Sequence, residues 1–192
     1  LNNLVLADGA SEQVQPKMVA LADGGFYVSW FDNAAGGYDV RLQRLSATGV
    51  ELWPHNGVLV ADRNLSSTTD YGLSVDTAGN ALLAFNDDSE AAERIVAAKI
   101  SPDGLAIWGT PGIAVSTSTG FLASPRIAGT DDGDVVVAWF QVSDTVLQRL
   151  DPAGAKLWAT DGLVLAHSGD TFVVADLQAT GANGGLDTGN VI

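Results

Sequence analysis

Short apolar runs recur along the chain, each bounded by turns that carry glycine. The most hydrophobic are Phe26–Phe31, Ala81–Phe85 and Val135–Phe140. Runs that are apolar on both faces belong to strands covered on both sides by neighbouring sheets. A shorter strand precedes each one, near residues 16–22, 73–76 and 125–128. The connections are Asp23-Gly-Gly, Thr77-Ala-Gly-Asn and Asp131-Asp-Gly-Asp. Glycine supplies the positive φ of a hairpin turn, and Asp or Asn bonds back to the backbone. A third strand alternates: in Asp39–Gln43, Val40 and Leu42 share one face while Arg41 and Gln43 share the other. Ile95–Lys99 and Thr145–Arg149 are its counterparts. Next come a glycine turn, a strand carrying Trp, a glycine kink and a last apolar piece at 58–60, 113–115 or 163–165. No stretch shows sustained helical periodicity with caps, so the chain reads as all-β.

The pattern is a repeat. Arg44–Val60, Lys99–Val115 and Arg149–Leu165 align without a gap. Each begins with a cation and an apolar residue, then has a turn ending in Gly49, Gly104 or Gly154. Four residues on stands Trp53, Trp108 or Trp158, and four after that Gly57, Gly112 or Gly162. Trp30, Phe85 and Trp139 mark the preceding hydrophobic run. Trp30 to Trp53 and Phe85 to Trp108 are equally spaced, and Trp139 to Trp158 is shorter. A length change confined to one connection is what a structural repeat shows.

These anchors define three complete units, at 16–62, 72–116 and 125–167, in one repeat domain over 1–192. Asn3–Asp8 resembles Gly57–Asp62, the end of a unit. Phe172–Ala179 reads as a new first strand, with Asn183-Gly-Gly as its turn. Residues 1–8 and 172–192 are thus expected to be parts of a fourth, permuted or truncated unit. Four antiparallel strands in a unit of about 50–55 residues read as a propeller-like blade, which buries itself only by stacking around an axis. The alternative is a β-solenoid-like array. The chain starts at Leu1 and reads as a processed or excised piece.

The turn resembles the Asp-box, Ser-x-Asp-x-Gly-x-Thr-Trp, of bacterial propeller repeats related to sialidases. Its best copy is Ser101-Pro-Asp-Gly-Leu-Ala-Ile-Trp108, in which Gly104 comes one residue early and Ile107 replaces Thr. The first copy has Thr48 at the Asp position, and the third has Asp151 for Ser and Ala153 for Asp. In that family the box is a folding motif away from the catalytic face. The resemblance therefore implies blade architecture and a non-catalytic member.

Composition narrows the chemistry. The net charge is −14 with no basic cluster, which argues against nucleic acid and anionic membranes as partners. There is no cysteine, so disulfides, thiolate catalysis and Cys-ligated zinc are excluded, and bacterial export to a secreted or cell-surface location is expected. No run is long enough to span a membrane. The two histidines, His55 and His167, stand in no Ser-His-Asp set and read as turn or surface residues. Arg44, Lys99 and Arg149 are repeat-equivalent and read as structural cations rather than a carboxylate-binding cluster.

Two acidic groups, Asp87-Asp88-Ser-Glu90 with Glu93 and Asp131-Asp132-Gly-Asp134, lack full calcium-loop spacing. No cofactor is expected, with Ca2+ the one candidate. All five tryptophans fall on repeat positions, which favours packing over sugar stacking. Binding is expected instead from the non-repeated loops Asn33–Tyr38, Asn64–Tyr71, Asp87–Glu93 and Ser116–Ser124, with Tyr38, Asp87, Asp88 and Glu90 as candidates.

The leading expectation is a non-catalytic binding or structural module of an exported bacterial protein, contacting a glycan or protein through its loops. A sialidase-like glycan-acting enzyme and a self-assembly module pairing through open blade edges are the alternatives.

Overall fold

Among the residues described by the computed structural model (3–66, 68–89, 92–165 and 171–178), every regular element is a strand. The first sheet contains β1 (Gln13–Ala20), β2 (Phe26–Asp32), β3 (Asp39–Leu45) and β4 (Val58–Ala61). The second contains β5 (Gly72–Val75), β6 (Ala81–Asp87), β7 (Arg94–Ile100) and β8 (Ile113–Ala114). The third contains β9 (Leu122–Gly129), β10 (Val135–Gln141), β11 (Asp144–Leu150) and β12 (Leu163–Leu165). Each sheet is an antiparallel meander whose strand order follows the chain.

The sheets stack in sequence. Tyr27, Phe31, Val40 and Leu42 of the first meet Ala81, Leu83, Phe85 and Val96 of the second. The opposite face of the second sheet, with Leu82, Ala84, Ile95 and Ala97, meets Ile127, Val135, Val137 and Trp139 of the third. Strand β6 is therefore buried along its whole length, as a strand between two sheets must be. The far face of the third sheet, at Ala128, Val136 and Ala138, is covered by Val174 and Leu177.

The first strands extend further than the sequence suggests. Proline has no N–H for the ladder and was expected to begin them, yet β1 and β9 start three residues earlier, at Gln13 and Leu122. Both continue through their proline by a β-bulge, with Gln15 and Ser124 each at φ 50°. A bulge is where a strand tolerates proline.

The Trp-bearing segment corrects the expectation of a strand. It makes one bridge per unit, Leu45↔Glu51, Ile100↔Ala106 or Leu150↔Lys156, and then leaves the ladder. Trp53, Trp108 and Trp158 lie outside any strand, and only the last apolar piece forms the fourth strand. In two units a buried glutamine of the third strand bonds to the looped-out backbone. Gln43 donates to Pro54 O at 2.9 Å and accepts from Trp53 N, and Gln148 does the same with Ala159 O at 2.8 Å and Trp158 N. The chain then returns at Gly57, Gly112 or Gly162. A Cβ there would collide with the carbonyl oxygen of Leu42, Ala97 or Leu147 on the third strand, so only glycine fits.

Candidate functional site

The repeated residues meet at the joints between sheets. Trp53 Nε1 donates to Pro102 O, and Trp108 Nε1 to Pro152 O, each at 3.1 Å. Each acceptor lies in the glycine turn of the following sheet. The indole covers that glycine: a Cβ at Gly104 would stand 3.3 Å from Trp53, and one at Gly154 would stand 3.2 Å from Trp108. Gly104 and Gly154 also have φ of +82° and +92°. Phe85 and Trp139 face the preceding sheet in each joint. Trp30 is buried in the first sheet, with its indole nitrogen unpartnered.

The repeated cation ties its own sheet together. Arg44 lies 2.9 Å from Asp23, Lys99 2.9 Å from Asp76, and Arg149 2.7 Å from both Asp132 and Asp134. Each pair links the third strand to the turn between the first two. Burial acts to raise the Asp76 carboxyl, but the amide of Asn80 and the Lys99 ammonium outweigh it and hold it below the ordinary value. At Asp23 the Gly25 backbone N–H leads, joined by Arg44, in lowering the value. The acidic turn at 131–134 is thereby filled by its own sheet: Thr130 bonds to Asp132, and Arg149 meets Asp132 and Asp134.

The non-repeated loops gather at the opposite end. In an antiparallel meander, the β2–β3 connection and the exit from β4 share one end. Hydrogen bonds bring the next unit's loops beside them, with Asn64 N donating to Asp88 Oδ1 at 2.8 Å and Asn86 Nδ2 donating to Leu122 O at 2.9 Å. Tyr38 donates its hydroxyl to Glu12 at 2.7 Å. Asp87 is fully buried and accepts from Ser89 Oγ at 2.7 Å. Glu90 lies outside the described residues, as does His167. His55 sits at the other end between Glu51 and Asp8. Its hydrogen bond to Glu51 leads in raising its pKa.

Arg63 lies under this loop end, and nothing in the repeat pattern singles it out. Its side chain is 1% exposed and stacks 4.3 Å over Phe31. Nε donates to Tyr38 O at 2.5 Å and Nη1 to Asn86 O at 2.7 Å, bridging the first and second sheets. Burial lowers its pKa to about 10, against the opposing charges of Asp87 and Asp88, so it stays protonated at neutral pH.

Sequence reasoning also missed a cavity of about 400 Å3 where β1, β5, β9 and residues 175–177 converge. Lys17, Tyr71, Arg126 and Asp176 line it. Asp70 lies 2.6 Å from both Lys17 and Arg126. Arg126 Nε also donates to Ala175 O at 2.9 Å. The hydroxyl of Tyr71 is directed away, toward the carbonyl oxygens of Gln15 and Ser29 at 2.9 and 3.0 Å. The cavity is thus polar, with both cations already engaged. Its signal in the sequence is weak: Lys17 and Arg126 each follow a proline in a first strand.

Among the described residues no group of three or more His, Cys, Asp or Glu side chains is placed to hold a metal ion. Among the described residues no helix is long and apolar enough to cross a membrane.

No family model matches the chain, and no curated protein matches it. Among solved structures it is similar to a glycosyl hydrolase from Bacteroides ovatus, with a TM-score of 0.47 and 11% identity. The alignment covers 80% of this chain and 51% of that one, so the chain spans about half the length of the structure it matches. The fold assignment rests on the chain's own three sheets.

Proposed function

We propose that this chain is a non-catalytic, propeller-type repeat module of an exported bacterial protein, presenting one polar loop end to a glycan or protein ligand. The observation that supports this reading is the division of labour along the blades. Trp53, Trp108 and the repeated glycines and cations are engaged in joints and turns, while the side chains that differ from unit to unit gather at the other end. A binding surface needs individuality where a scaffold needs repetition. Absence of cysteine is compatible with export.

The test is a panel of oligosaccharides and fluorogenic aryl glycosides, with affinity and product release measured on the same protein. The reading predicts saturable binding without turnover. It further predicts that binding weakens at least tenfold in a Tyr38→Ala, Asp88→Ala double variant with an unchanged circular dichroism spectrum. Turnover that survives purification to constant specific activity would replace this reading with the glycan-acting enzyme. Binding that ignores the double variant would move the ligand away from the loop end.

A further inference from the structure

Each internal joint has two halves. The donor half is an indole N–H on the hairpin after the third strand. The acceptor half is the next sheet's glycine turn, which offers the carbonyl of its second residue and a glycine for the ring to cover. The chain makes this joint twice, at Trp53 with Pro102 and Gly104 and at Trp108 with Pro152 and Gly154.

Both halves occur once more, unfilled, at the two ends of the stack. Trp158 is the third donor. It is partly buried beside Val174 and Leu177, and its N–H has no acceptor among the described residues. Residues 171–178 cross that face through Arg126 Nε to Ala175 O and Thr145 Oγ1 to Phe172 O, yet offer the indole nothing. The third acceptor is the turn Ser46-Ala47-Thr48-Gly49. Ala47 occupies the position of Pro102 and Pro152, is exposed, and its carbonyl accepts no hydrogen bond among the described residues. Among the described residues no atom lies within 4 Å of where a Cβ on Gly49 would stand, so none of their rings covers it. On the same sheet Met18 is 66% and Leu59 46% exposed.

We propose that these two halves meet between two copies of the chain. Trp158 of one copy seats on the Ala47–Gly49 turn of another, continuing from chain to chain an interface that the chain already forms twice within itself. A second copy is the occupant because it carries both complementary pieces. Such a contact joins two different surfaces, and it closes as a two-fold dimer when each copy gives and receives once, Trp158 of either copy meeting the 47–49 turn of the other. One clasp is small compared with a stable protein interface, so association is weak and rises with concentration. This inference stands apart from the loop end, which is not involved.

The test is sedimentation velocity across a concentration series on three proteins: wild type, Ala47→Arg and Trp158→Ala. The average mass of the wild type should climb toward that of a dimer. Each variant alone should stay monomeric, because in one the arginine side chain blocks the turn that the indole would cover and in the other the indole donor is gone. Mixing the two should restore association, since together they keep one good clasp. A wild type that is monomeric throughout overturns the proposal. So does association that survives in either variant, or a mixture that stays monomeric. If circular dichroism shows that Trp158→Ala has lost its fold, Ala47→Arg at its exposed turn carries the test with the wild type, which it should fail to match in mass.

Discussion

The joint between the first and second sheets and the joint between the second and third share one clasp and otherwise differ. In the first, Trp53 tilts against Tyr27 at 5.7 Å, Phe31 meets Tyr71 at 4.7 Å, and buried Arg63 ties the sheets together under the loops. In the second, Trp139 lies among Leu82, Ile95, Ile127 and Val137, and the polar ties include Asn86 to Leu122, Thr117 to Asp161 and Lys156 to Val115 O. The clasp sets how neighbouring sheets align, which fixes its residues in every unit. The rest of each interface has only to fill volume and pair its polar groups, and many residue combinations do that.

The largest expected effect breaks what is particular to the first joint. Arg63→Ala empties a buried site and leaves Tyr38 O and Asn86 O without a donor, and should cost about 3–5 kcal/mol. Urea unfolding reads this directly; a loss under about 1 kcal/mol would mean that solvent already serves those carbonyls.

Glycine-to-alanine changes at the three turns sharpen what is shared. Gly154→Ala meets a positive φ together with Trp108 and Ile113, and Gly104→Ala meets φ and Trp53 with Val58. Gly49→Ala meets φ alone. Losses of about 3, 2 and 1 kcal/mol are expected in that order. Equal losses at all three would mean that the covering indoles contribute nothing to the cost.

Trp108→Phe should cost about 1–2 kcal/mol and Trp53→Phe less, because Pro102 O also accepts from Arg44 Nη1 at 3.1 Å and keeps that donor; the two should add in the double variant. Equal costs would show that the second donor on Pro102 O contributes nothing.

The smallest effect is in pH. The lowered carboxyl of Asp76 gives stability that is present above the unfolded value of about 4 and lost as pH falls through the lower folded value. Thermal midpoints should therefore hold from neutral pH to about 5 and fall below about 4. Asp76→Asn should flatten that fall more than Asp23→Asn, because Asp76 and Lys99 are both buried whereas Asp23 is exposed. The reverse ranking would contradict the burial argument.

Much of the architecture was legible because repetition exposes it. The hydrophobic runs at 26–31, 81–85 and 135–140 became β2, β6 and β10, and the alternation at 39–43 became β3. The repeated Trp and Gly were read as structural, but their partners were hidden: the acceptor of Trp53 lies 49 residues away, and only the fold brings it near. The Trp segment was misread as a strand because apolar residues flanking a turn look like a hairpin. What reveals the excursion is Gln43, a polar residue on a buried strand that reads as ordinary alternation. Arg63 and the Lys17–Asp70–Arg126 set gave little warning, since each belongs to one place and no period marks it.

Hydrogen exchange of the indole N–H protons tests the central claim, that one indole–turn clasp joins successive sheets. It is best measured by NMR on the Ala47→Arg variant, where self-association cannot cover Trp158. The Trp53 and Trp108 protons, bonded to Pro102 O and Pro152 O, should be strongly protected, while that of Trp158 should exchange at close to the free rate. Equal exchange at all three positions would contradict the account.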